Sequence, residues 1–169
     1  MLHGSIDFGF CGRYSLFMNK PTEQKIAQVR ALFETYSQMQ QRVDYNEKTI
    51  NHIAQASFES LMDTESLVDR IIKRLVRKER LIFLKSKVEY LFEILPEKRQ
   101  QVIRLFFFEK RKAPDIAEQC GASLRTIFDR IQKSIGHCAK QLDDIGLNTA
   151  VFNLLCREFK WLKACYTYT

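Results

Sequence analysis

Between Lys110 and Lys133 the sequence sets out side chains of the kind that engage a polyanion. Lys110, Arg111 and Lys112 make one basic run, and Arg125, Arg130 and Lys133 follow with Ser123, Thr126 and Asp129 among them. Guanidinium and ammonium groups donate charge-assisted hydrogen bonds to phosphate oxygens, and a forked guanidinium also matches the two acceptors on a guanine edge. A serine or threonine hydroxyl can cap a helix or touch phosphate. Catalytic spacing is missing. His3, His52 and His137 are scattered, none at ligand distance in sequence from a carboxylate or cysteine, and there is no glycine-rich phosphate loop or paired-carboxylate motif. These residues point to recognition, and neither an enzyme nor a metal or cofactor site is expected.

The bulk chemistry agrees with that direction. The 169 residues carry 27 Lys and Arg against 20 Asp and Glu, a formal charge of +7, which suits an anionic partner. A hydrophobic fraction of 46% is enough to build a core. Five cysteines (11, 120, 138, 156 and 165) form no C-x-x-C pair and are odd in number, so a reducing, cytoplasmic setting is expected over a disulfide scaffold. No run approaches the roughly 18 apolar residues that span a bilayer, so no membrane partner is expected. The opening "MLHGSIDFGFCGRYSLFMNK" is broken by Asp7, Gly9, Gly12 and Arg13 and lacks the apolar centre of a signal peptide.

The elements that must position the basic residues are helices throughout. Pro96 and Glu97 suit a first helical turn, and Val102, Ile103, Leu105, Phe106 and Phe108 follow them. After "EKRK" a short helix starts near Ala113, with Ile116, Ala117 and Cys120 as its buried face. Gly121 can take the left-handed conformation that ends it. Ser123 then caps another helix, whose Ile127 and Ile131 lie one turn apart on the inner side. Two helices crossing through a glycine turn make a helix-turn-helix, whose second helix enters the major groove of double-stranded DNA. In that placement Arg125 and Thr126 reach base edges. Arg130, Lys133 and the Lys110–Lys112 run contact phosphate, Ser123 does so while capping, and Asp129 reads cytosine or faces solvent.

Upstream, Ile26, Val29, Phe33, Tyr36 and Val43 form one helical stripe, and Ile50, Ile53, Ala54, Phe58 and Leu61 a weaker one. "DTES" at 63–66 offers caps for a long helix running through Leu67, Ile71 and Leu75 to Leu95. Its "KRLVRKER" at 73–80 reads first as a solvated face and second as a phosphate-contacting stripe. Three consecutive phenylalanines, 106–108, cannot share one side of a helix, and the N-terminal helices are the expected cover. After Gly146 the chain reads as one amphipathic helix with Val151, Leu154, Leu155, Phe159 and Leu162 on its apolar face. That face is read as core packing, with pairing into a homodimer as the alternative.

The segment "LPEKRQQVIRLFFFEKRKAPDIAEQCGASLRTIFDRIQKSI" resembles region 4 of the sigma-70 family, without a gap from Leu95 to Leu142. The resemblance rests on the "LPEKRQQV" opening, the "DIAEQCGAS" helix and turn, and the "LRTIFDRI" recognition segment. It implies binding to a promoter element of the −35 type and contact with RNA polymerase. Nothing upstream resembles sigma region 2, so the likeness extends to small sigma-like transcription regulators of phages and mobile elements. Phe106, Phe107 and Phe128 stand where the family more often has polar residues, and Lys112 replaces its usual serine or threonine cap. The expected organisation is all-α: an irregular tail (1–20), a helical N-terminal region (21–94), a helix-turn-helix domain (95–142) and a C-terminal amphipathic helix (147–169). The expected function is sequence-specific DNA binding in transcription regulation at promoters, against a protein-interaction module that binds RNA polymerase or a regulator without specific DNA recognition.

Overall fold

A computed structural model describes residues 22–56 and 63–167. The N-terminal tail, Phe58 and Leu61 lie outside the described residues. Every element among those described is helical: α1 (Glu23–Ala56), α2 (Thr64–Glu93), α3 (Glu97–Ile103), α4 (Ala113–Gln119), α5 (Leu124–Gln141), α6 (Thr149–Glu158) and α7 (Lys160–Thr167). The class is all-α, as composition and periodicity predict. No helix among the described residues is long and apolar enough to cross a membrane.

α1 and α2 pair as an antiparallel hairpin. Val29, Leu32, Phe33, Met39 and Val43 of α1 are buried, as are Leu81, Leu84, Val88 and Leu91 of α2. Fully burying a side chain of this kind contributes about 1.5–3 kcal/mol, which outweighs the modest helix propensities of valine and phenylalanine. Polar pairs confirm the opposed directions: Tyr36 Oη donates to Glu89 Oε1 at 2.9 Å, and Lys78 pairs with Glu47 at 3.3 Å. Asp63 starts α2 by accepting from the Ser66 N–H at 3.3 Å. The hairpin's far end is thinly covered, since Ile50, Ile53, Leu67 and Ile71 are half-buried and Leu75 is exposed.

The phenylalanine run is accommodated by a change of helical pitch. α3 continues into a π-helical turn, Arg104–Phe108, closed by the Glu109 N–H on the Arg104 carbonyl at 2.9 Å. The wider turn lets Phe107 sink into the core while Phe108 lies among Phe33, Tyr36 and Phe92, with ring centroids 6.0, 4.4 and 5.4 Å away. Phe106 stays half-buried, edge-on to Phe107 at 5.0 Å. The cover is α1 and α2, as expected. Aromatic contacts of this geometry add about 0.5–1.5 kcal/mol each beyond area burial.

The C-terminal segment departs from the single helix read in the sequence. The backbone leaves helical geometry at Phe159 (φ −107°, ψ 86°), and α7 turns back to pack on α1. Phe152, Leu155, Cys156 and Phe159 form the buried stripe at helical spacing. Leu154 sits some 200° around the helix from Phe152, and it is 61% exposed instead of buried.

Candidate DNA-binding surface

α4 and α5 are joined by a turn whose hydrogen bonds are all made locally. The Ala122 N–H reaches the Ala117 carbonyl at 2.9 Å and the Gly121 N–H the Glu118 carbonyl at 3.1 Å. This Schellman arrangement requires a left-handed residue, and Gly121 has φ +57°. Ser123 then caps α5: its Oγ accepts from the Thr126 N–H at 3.2 Å and lies 2.9 Å from Thr126 Oγ1. Ile116 and Ala117 of α4 pack with Ile127 and Ile131 of α5 in the core, and Ile135, Cys138 and Ala139 carry α5 on into it. Burial pushes the Cys138 thiol up to about 12, and its Sγ donates to the Leu91 carbonyl at 3.3 Å. Cys138 is thus a core residue that pins α5 to α2. Cys120 is half-buried against the same core.

The start of α4 departs from the usual capping rule. Lys112 occupies the N-cap without a side-chain hydrogen bond. Pro114 in the first turn removes one N–H that would otherwise need a partner, and Asp115 complements the helix dipole.

With the inner face of α5 sunk in the core, its outer face is defined. At 100° per residue, Arg125, Asp129, Gln132 and Lys133 lie within an arc of roughly 100°, and all four are exposed. Arg125 makes no hydrogen bond or ion pair with any described residue, so its guanidinium is free to engage a ligand. Lys133 pairs with Asp129 one turn back at 2.8 Å, which softens the only negative charge on this face. Thr126 and Arg130, both half-buried, border one side of the arc, and exposed Leu124 and Phe128 border the other. Gln132 is the residue that sequence reading passed over. Its spacing from Arg125, seven positions on, was the available signal, and a glutamine can hold adenine through two hydrogen bonds.

The basic run ahead of α4 divides. Lys110 adopts φ +57°, and its ammonium engages the Glu34 carboxylate and, at 3.0 Å, the Glu34 carbonyl. It therefore ties the loop to α1. Arg111 lies 3.7 Å from Glu109 and, like Lys112, is exposed. The structure thus brings Ser123, Arg125, Thr126, Asp129, Arg130 and Lys133 onto one helix, with Arg111 and Lys112 at the entrance to its partner.

The fold and this surface define a helix-turn-helix unit with a capped, outward-facing recognition helix. Residues 85–138 match the family model described as Sigma-70, region 4. That match covers less than half of the chain and includes the end of α2 as well as α3 to α5. This region is a sigma-70 region 4 domain, a non-enzymatic DNA-binding module of transcription. Comparison with curated proteins and with solved structures returned no match.

Proposed function

We propose that the chain is a sequence-specific regulator of transcription that reads a promoter-like element in double-stranded DNA through α5. The observation that carries this reading is Arg125: exposed, without a partner among the described residues, and held in the first turn of a helix capped by Ser123 behind a Schellman turn. A forked donor on a rigid support spends little ordering entropy on binding, the requirement for reading a base edge. Gln132 and Thr126 extend the readout, while Arg111, Lys112, Arg130 and Lys133 contact phosphate on either side. The test is enrichment of duplexes from a random library, followed by titration of the selected site at rising salt. Several phosphate contacts release counterions, so affinity should fall steeply. A flat salt response, or no enriched sequence, refutes the proposal.

A second reading, contact with RNA polymerase or another regulator, draws on Leu124 and Phe128. These are 45% and 50% exposed beside the DNA face. An isobutyl group and a ring left in solvent beside a polar face are suited to a protein partner. Substituting both with serine separates the readings: loss of polymerase binding with DNA affinity intact supports this second role.

A further inference from the structure

Away from the helix-turn-helix, three arginines converge where α1, α2 and the bend at Phe159 meet. Arg42 comes from α1 and Arg74 and Arg77 from α2, and together they line a recess of about 160 Å³. None of the three pairs with a carboxylate among the described residues. The nearby acids are already committed, Glu47 to Lys78 and Glu158 to Arg80. What the arginines do contact is neutral. Arg42 lies 4.7 Å over the Trp161 ring and donates to Gln38 Oε1 at 3.2 Å, Arg77 lies 5.6 Å over Phe159, and Arg74 reaches Asn46 Oδ1 at 3.4 Å. Arg42 Nε is buried with no acceptor among the described residues. Burial, and then the charge of Arg77, hold the Arg42 guanidinium below its ordinary range. Like charges gathered in a half-buried recess, with a donor left unsatisfied, form a site whose counter-charge comes from a ligand.

We infer that this recess binds a phosphate-type oxyanion through Arg42, Arg74 and Arg77. Three guanidinium forks offer more donors than the two oxygens of a carboxylate can accept, and their planar geometry matches the faces of a tetrahedral oxyanion. Stacking on Trp161 and Phe159 holds two of the forks in place, so little rotamer freedom remains to be lost. "KRLVRKER" is thereby divided: Lys73, Lys78 and Arg80 are spent on internal pairs, and Arg74 and Arg77 face the recess.

Trp161 is the single tryptophan of the chain, so intrinsic fluorescence reports on this recess directly. Sodium phosphate titrated into the full chain, against sodium chloride at matched ionic strength, should produce a saturable change in Trp161 emission. Arg77→Ala and Arg74→Ala, checked for native helicity by circular dichroism, should each weaken the apparent affinity at least tenfold. Arg125→Ala, on the other surface, should leave it unchanged. Among the described residues Arg74 makes one hydrogen bond, the long one to Asn46, so Arg74→Ala and the charge-keeping Arg77→Lys test the site even if Arg77→Ala does not fold. The source of the phosphate is distinguished with duplex DNA. If the backbone supplies it, Arg77→Ala lowers the slope of log affinity against log salt by about one; if a free phosphate or nucleotide supplies it, that slope is unchanged while the fluorescence response is lost. No saturable response beyond chloride, or a folded Arg74→Ala variant that binds phosphate as the native chain does, overturns the inference.

Discussion

Replacing Arg125 with alanine separates base recognition from simple anchoring. The side chain is exposed and has no partner among the described residues, and Ile127 and Ile131 hold α5 in place without it. Folding stability should therefore move by no more than about 0.5 kcal/mol, as for an ordinary surface change. Nothing inside the protein reorganises, so the measured loss belongs to the interface. A lost bidentate contact to guanine amounts to about 1–3 kcal/mol of discrimination, which is roughly 5- to 150-fold in affinity. Fluorescence anisotropy with a selected duplex and a scrambled one should show that loss on the selected site and a much smaller one on the scrambled. Lys133→Ala provides the contrast. It removes a cation and leaves the Asp129 charge uncompensated toward the phosphates, so both duplexes should weaken alike with a shallower salt slope. If Arg125→Ala weakens both duplexes equally, or neither, the docking of α5 in the major groove is refuted.

Three further outcomes test the scaffold. Ser123→Ala removes the acceptor of the Thr126 N–H and should cost about 1 kcal/mol, seen as a melting point lower by about 2–4 °C. Phe33→Ala empties a fully buried site against Phe107 and Phe108 and should cost about 3–5 kcal/mol in urea denaturation. Burial, and then the Glu89 carboxylate that accepts its hydrogen bond, raise Tyr36 from 10.0 to about 12 in the folded protein. The neutral phenol is the form the fold favours, so its contribution is complete below the unfolded value of 10.0 and is lost as pH rises toward about 12. Denaturation curves across that window should show the native chain losing more stability than Tyr36→Phe; parallel curves would exclude the linkage.

Much of the recognition unit was legible because its determinants are local. Gly121 and Ser123 act through bonds to residues three to five positions away, and Ile127 and Ile131 mark an inner face through helical spacing alone. The all-α class and the covered phenylalanine run follow from the same short-range rules, and the family match to residues 85–138 falls on the segment they single out. Other features depended on which elements meet. Lys110 reads as a free cation beside the turn, yet a left-handed backbone and a partner 76 positions away turn it toward Glu34. Phe159 reads as one more position on a C-terminal stripe, but the helix breaks there and α7 packs back on α1, while Leu154 faces solvent across α6 from Phe152. Arg74 and Arg77 stand in a basic stretch that reads first as a solvated face, and Arg42 stands on a helix whose acidic and basic residues balance. Convergence of like charges has no local signature, because the apolar faces that pair α1 with α2 force it while the charges themselves oppose it.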